Sequence, residues 1–226
     1  MDWSLPELVS TFGEIDSIFW LITVITGVIF LGVEVALIYL VIRYRHREGR
    51  KAEYVHGHLG TEVVWTVIPF LIVLFLGFKS AGVWLEIKDP RRFPEEGVPL
   101  KVTAKQFEWN ITYPGSDGRL DTGDDFIKRN QLHVPVGVPI RVTLTAEDVI
   151  HSFFLPQFRV KQDAVPGMEI QVWFQATKTG EYVLGCAELC GLGHYKMKGS
   201  VTVHTPEEFE RWQAEEFERQ REEAAS

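Results

Sequence analysis

Cys186-Ala187-Glu188-Leu189-Cys190-Gly191-Leu192-Gly193-His194-Tyr195-Lys196-Met197 packs two thiols, an imidazole and a thioether into one short segment. These are the soft ligands that a copper centre takes. Two cysteines four apart can both bridge one pair of metal ions, with His194 and Met197 near enough on the same loop to cap them. A lone copper of the blue type would use only one of these thiolates. A second imidazole has to come from elsewhere, and His151, in Asp148-Val149-Ile150-His151-Ser152-Phe153, is the candidate.

Three other chemistries fit parts of this pattern. The two cysteines are the only ones in the chain, and in an exported domain they could form a disulfide, which has no use for His194 and Met197. Zinc accepts a Cys, Cys, His set, but a thioether is a poor zinc ligand and the order matches no common zinc spacing. Thioredoxin-like copper-delivery proteins also carry two cysteines four apart and a distant His. They place proline directly after the second cysteine, where this chain has Gly191.

The surrounding sequence is built of short alternating segments. Leu100-Lys101-Val102-Thr103-Ala104 and Phe107-Glu108-Trp109-Asn110-Ile111-Thr112-Tyr113 alternate at period two, as do Pro139 to Leu144, Ile170 to Phe174 and Gly199 to Val203. That is the pattern of half-buried strands. Turn chemistry separates them at Pro114-Gly115-Ser116-Asp117-Gly118, Pro135-Val136-Gly137 and Pro166-Gly167. Such punctuation reads as a sandwich or small barrel. From Pro206 the chain turns helical, rich in Glu and Arg with Phe209, Trp212 and Phe217 interspersed, and is expected to form a solvated helix packed lightly on its neighbours.

The first third of the 226 residues has another texture. Residues 18 to 42 hold one charge, Glu34, and are long enough to span a bilayer. A second apolar run from Val63 is interrupted by Lys79, which can snorkel, so the second span is placed at about Glu62 to Leu85. The residues ahead of the first span contain Asp2, Glu7, Glu14 and Asp16 and no Lys or Arg. A secretory leader begins with basic residues, so the span is expected to remain as an anchor. Arg43-Tyr44-Arg45-His46-Arg47-Glu48-Gly49-Arg50-Lys51 places the connecting loop in the cytoplasm by the positive-inside rule, with both termini on the periplasmic side of a bacterial inner membrane.

The copper-type loop together with the Asp148 to Phe153 segment resembles the copper A site of subunit II of cytochrome c oxidases, the heme-copper terminal oxidases. The resemblance extends over nearly the whole chain. It implies a membrane α-helical hairpin (residues 1–85, spans about 17–43 and 62–85), an all-β cupredoxin-like Greek-key barrel (86–205) and an acidic C-terminal helix (206–226). The metal loop would lie between the last two strands. By the same resemblance Cys186 and Cys190 bridge a binuclear copper centre, His151 and His194 each bind one copper, Met197 is a weak axial ligand and Glu188 offers its backbone carbonyl. The Glu188 side chain would help bind magnesium shared with subunit I. Glu62 would feed protons into an uptake channel of the catalytic subunit, against the plainer reading of a first-turn carboxylate behind a Thr61 cap. Asp163 would lie against subunit I, although a turn-forming Asp before Pro166-Gly167 reads the same way. Glu34 must face protein or water, and the resemblance gives it no role.

The implied function is electron transfer from a cytochrome c donor to heme in subunit I of a proton-pumping oxidase, with subunit III as a further partner and no nucleic acid involved. The chain itself contains no oxygen-activating site. The copper-containing subunit of a nitric oxide reductase and a membrane-anchored copper metallochaperone are the alternatives. A quinol oxidase subunit of this fold would lack the copper ligands. One departure concerns the donor: where most family members carry an exposed tryptophan that receives the electron, this chain has Phe107, with Trp109 expected to point inward. After Leu85 there are 17 Lys plus Arg and 23 Asp plus Glu, and three of those arginines and eight of those acids lie beyond Thr205. The barrel is therefore nearly neutral, and a tethered, membrane-bound or supercomplex donor is expected, because steering of a basic soluble cytochrome needs an acidic face.

Overall fold

The computed structural model describes residues 5–51 and 54–225; Asp2, one of the acids ahead of the first span, lies outside them. Two helices, α1 (Gly13–Tyr44) and α2 (Leu59–Lys88), are long and apolar enough to cross a membrane. Neither buries a residue, and α1 carries Glu34 on its surface. The start of α2 differs from the expected Thr61 cap. His58 sits just ahead of the helix, and its Nδ1 accepts the Thr61 N–H at 3.2 Å. An imidazole ring nitrogen thus does the work assigned to a hydroxyl, and Thr61 lies inside the first turn.

The remaining chain forms two five-stranded sheets. The first, in the order β3-β2-β1-β5-β8, comprises β1 (Val98–Lys105), β2 (Glu108–Tyr113), β3 (Phe126–Arg129), β5 (Pro139–Ala146) and β8 (Ile170–Gln175). The second, in the order β4-β10-β9-β6-β7, comprises β4 (Gln131–Pro135), β6 (His151–Leu155), β7 (Val160–Ala164), β9 (Gly180–Cys186) and β10 (Lys198–His204). β1 runs parallel to β5 and β4 parallel to β10, whereas the other pairings are antiparallel. This is the two-sheet cupredoxin-like architecture. Alternation places Leu100, Val102 and Ala104 of β1, Trp109, Ile111 and Tyr113 of β2, and Ile140, Val142 and Leu144 of β5 in the core. The turns at Gly118, Gly137 and Gly167 each adopt a left-handed φ, which glycine takes without a steric penalty.

The chain ahead of α1 belongs to this barrel. Val9 and Phe12 are buried, the Val9 N–H donates to the Gln157 carbonyl at 2.9 Å, and Phe12 meets Trp173 edge to face. Ser10 Oγ donates to the Phe158 carbonyl at 2.8 Å. Burying two such side chains stabilises the barrel by about 1.5–3 kcal/mol each.

The acidic tail, α3 (Pro206–Ala225), is anchored more firmly than its composition suggests. Thr205 and Glu208 form a reciprocal capping box, with the Glu208 N–H donating to Thr205 Oγ1 at 3.3 Å and the Thr205 N–H to Glu208 Oε2 at 3.0 Å. Phe209 is buried. Trp212 stacks on His133 with ring centroids 4.2 Å apart, and His133 Nδ1 lies 2.8 Å from His204 Nε2. Burial, reinforced by the neighbouring His204, pulls the His133 pKa down to about 4. The folded chain therefore binds fewer protons at this site than the unfolded chain between that value and the ordinary 6.5, so the stability present above pH 6.5 is lost as pH falls through 4. Thermal melts followed by tryptophan fluorescence should show Tm dropping across this window. His133→Phe should flatten the drop, and an unchanged slope would remove His133 as its cause.

Candidate metal centre

β6 begins at His151 and β9 ends at Cys186, and their antiparallel register sets Cys186 opposite Phe153. The ladder continues past the strand end, with the Ala187 N–H donating to the Ser152 carbonyl at 3.1 Å. The loop from 187 to 197 is closed at its base by the Cys186 N–H donating to the Met197 carbonyl at 3.2 Å. A short 3-10 turn over His194–Lys196 folds it back on itself.

These constraints bring the donor atoms together. Cys186 Sγ and Cys190 Sγ are free thiols 3.9 Å apart. His151 Nδ1 lies 3.9 Å from Cys186 Sγ and 3.2 Å from Met197 Sδ, and His194 Nδ1 lies 3.6 Å from Cys190 Sγ. The Glu188 carbonyl oxygen is 3.3 Å from Cys186 Sγ, while the Glu188 side chain is exposed. Two sulfurs, two imidazoles, a thioether and a carbonyl converge, and His151, Cys186 and Cys190 alone form a group able to hold a metal ion. Two thiols and two imidazoles alone would fill one tetrahedral ion; the thioether and the carbonyl exceed that set, and the soft thioether fits copper better than zinc. Burial, reinforced by Cys186, pushes the Cys190 thiol up, so a thiolate at that position needs a cation beside it.

Asp148 and Gln106 hold this arrangement in place, and neither was singled out as a functional residue in the sequence. His151 is fully buried, and its Nε2 donates to Asp148 Oδ1 at 2.8 Å. That bond keeps the proton on Nε2 and leaves the Nδ1 lone pair facing the sulfurs. Burial works against the Asp148 carboxylate, but hydrogen bonds from His151 and from the Gln106 and Val149 N–H groups outweigh it and hold its pKa below the usual carboxylate range. The Gln106 N–H donates to Asp148 Oδ2 at 2.7 Å, and Gln106 Nε2 donates to the Cys190 carbonyl at 2.6 Å. One residue in the β1–β2 turn thus ties the histidine limb to the cysteine loop. An aspartate three residues before a candidate ligand histidine was the available signal.

Phe107 lies on the cysteine loop. A Cβ at position 193 would come within 2.5 Å of its ring, and one at position 191 within 3.4 Å, where φ is also +130°. Both glycines are needed for this approach. Phe107 is 37% exposed, beside Leu192 at 97% and Tyr195 at 76%. Trp109 is fully buried, its ring 6.2 Å from that of His151, so it faces inward. Asp163, on β7, pairs in register with Ser152 and lies 3.4 Å from Lys161 Nζ. Glu62 belongs to the helical unit, where its carboxylate lies against Gly57. Neither is part of the sulfur cluster.

Residues 101–204 match the family described as cytochrome C oxidase subunit II, periplasmic domain, and residues 10–83 match its transmembrane domain. The chain is 36% identical over 261 aligned residues to cytochrome c oxidase subunit 2 of Thermostichus vulcanus, covering 92% of this chain and 77% of that protein. The chain belongs to the cytochrome c oxidase subunit II family. It is also 30% identical to the alternative cytochrome c oxidase subunit 2 of Bradyrhizobium diazoefficiens, over 93% of this chain and 83% of the relative. The solved periplasmic domain of subunit II of Bradyrhizobium japonicum is 34% identical over 56% of this chain and 97% of that one, with a TM-score of 0.48. This family is a copper-binding subunit of a membrane oxidoreductase complex, and the two apolar helices fit that setting.

The hydrogen bonds around His151 generate a prediction. Asp148→Asn replaces an acceptor by a group that can present N–H to Nε2, and it should lower copper affinity by roughly 10–100-fold. Copper titration against a competing chelator measures this, with Asp148→Glu expected to recover part of the loss. Equal affinities in all three proteins would show that the Asp148 contact does not support the site.

Proposed function

We propose that Cys186 and Cys190 bridge a binuclear copper A centre, with His151 and Met197 on one copper and His194 and the Glu188 carbonyl on the other. The observation that carries this reading is the pair of free thiols 3.9 Å apart with one imidazole Nδ1 against each. When bound, such a pair shares one unpaired electron over both metals and both sulfurs, so its oxidation state changes with little movement of the ligands. The residues supply the rest. Asp148 holds the His151 proton away from the metal face, the buried Met197 and Trp109 exclude water, and the Gln106 clasp keeps the two ligand limbs at fixed separation.

The chain then serves as the electron-accepting subunit of a proton-pumping cytochrome c oxidase, passing electrons to heme in subunit I, with subunit III in the same complex. The basic loop at residues 43–51 supports a cytoplasmic hairpin turn and a periplasmic copper domain. Glu188, whose side chain is exposed beside the thiols, is assigned to a magnesium ion shared with subunit I. Asp163 is assigned to the subunit I interface, and Glu62 to proton uptake. Relatives named as oxidase subunits favour this over a nitric oxide reductase or a metallochaperone.

The copper-loaded, oxidised protein should hold two copper ions per chain, be purple and give a seven-line copper hyperfine pattern in electron paramagnetic resonance. A four-line pattern or a colourless zinc protein would refute the binuclear assignment. Cys186→Ser or Cys190→Ser should abolish the shared state, whereas Met197→Leu should leave copper bound and shift its potential.

Phe107 is assigned as the electron-input position, with Trp109 behind it. Phe107 packs on the metal loop at positions 191 and 193, and Leu192 and Tyr195 of that loop are exposed, on a nearly neutral barrel. This supports a tethered or supercomplex-held cytochrome donor. In stopped-flow measurements oxidation of such a donor should change little between low and moderate salt, because a Debye length of about 8 Å at physiological ionic strength screens only long-range steering. Free basic cytochrome c should be slow at any salt. Fast turnover of free basic cytochrome c with a steep salt dependence would overturn this assignment.

A further inference from the structure

We propose that the loop closing α1 holds the phosphodiester headgroup of an anionic phospholipid, a binding site distinct from the metal centre and independent of the copper assignment. The loop begins where α1, long and apolar enough to cross a membrane, ends at Tyr44. Five cations, Arg43, Arg45, Arg47, Arg50 and Lys51, occupy nine residues here.

Local structure gathers four of these cations, Arg45, Arg47, Arg50 and Lys51, around a hollow. Gly49 adopts a left-handed φ of 77°, which closes a turn in which the Arg50 N–H donates to the Arg47 carbonyl at 3.2 Å. The turn returns Arg50 to the helix end, where its Nη1 donates to the Arg43 carbonyl at 3.3 Å. The guanidinium carbons of Arg43 and Arg50 then lie 5.4 and 5.7 Å from the Tyr44 ring centroid. Arg45, His46, Arg47, Arg50 and Lys51, with Tyr44, line a hollow of about 580 Å³, within the range of small-molecule sites.

Among the described residues no carboxylate forms an ion pair with any of these five cations. Gathering like charges around one ring without a counterion is unfavourable, and an anion in the hollow removes that repulsion. Guanidinium forks match phosphate oxygens bidentately. A hollow of this sign at the end of a membrane-length helix lies at the depth of the lipid phosphates, and an acidic leaflet attracts juxtamembrane cations of this kind. The position and the charge together select a lipid headgroup over a soluble anion.

The test uses the purified full-length chain, delipidated in detergent and offered an equimolar mixture of phosphatidylglycerol and phosphatidylcholine, with retained lipid counted by native mass spectrometry. The wild type should retain phosphatidylglycerol in preference, and Arg45→Gln with Arg50→Gln should reduce retention about fivefold for each cation lost. Arg45→Lys with Arg50→Lys keeps every charge, and so keeps the charge that orients the hairpin. It should still lower retention, because the forks are gone. Arg91→Gln with Arg92→Gln, an equal loss of charge outside the loop, should change nothing. Equal retention of both lipids by the wild type, or equal loss in the Arg91 and Arg92 variant, would overturn the site. Displacement of the lipid by millimolar inorganic phosphate would assign the hollow to free phosphate and overturn the lipid assignment.

Discussion

Two thiols held 3.9 Å apart in a half-dry pocket set the constraint on which the rest of the barrel depends. Thiolates at that spacing repel, and burial already pushes the Cys190 thiol up, so the fold has to impose the separation. It does so with backbone. β9 delivers Cys186 as its last residue, the contact between the Cys186 N–H and the Met197 carbonyl closes the loop, and the β1–β2 turn clasps the loop from the other sheet. Because that turn also binds Asp148, the orientation of His151 and the position of Cys190 are coupled through Gln106. Side chains from two separate segments thereby gain a common reference, as the proposed copper site needs.

The close packing of Phe107 follows from the same constraint. A flat ring on the loop shields the sulfur side from water only if the loop backbone approaches it directly, and Gly191 and Gly193 make that approach sterically open. Phenylalanine in place of an indole gives position 107 no hydrogen-bond donor. The exposed Leu192 and the ring of Tyr195 add apolar area on the same loop, with the Lys196 ammonium over the Tyr195 ring.

Much of the fold was legible because its strands alternate. Leu100 to Ala104, Pro139 to Leu144 and Gly199 to Val203 each bury one face, and each falls within an observed strand. The strands not foreseen lack that signal. β6 buries His151, Ser152 and Phe153 in succession, because its polar residues are covered at the metal end. β9 buries only Leu184, and β3 and β4 are short and meet at Asn130. The candidate ligands stood out by their soft chemistry and by the family resemblance, and Asp148 stands only three residues before His151, whereas Gln106 acts through contacts over 42 and 84 positions that no local pattern encodes. The firm seat of α3 was missed for a similar reason. His133, His204 and Trp212 come from three elements, and their stack exists only after the sheets form.

Val9 and Phe12 in the barrel core have a consequence for how the chain is made. They precede both apolar helices, while the rest of the barrel follows them, yet residues 5–13 and 87–225 belong to one compact unit. A polypeptide emerging from its N-terminus therefore cannot complete this core until both helices have been synthesised and the chain has returned to the compartment it left. An odd number of crossings would strand Val9 and Phe12 on the wrong side. The packing of Val9, Ser10 and Phe12 thus requires an even number of crossings, as a matter of connectivity and not of charge.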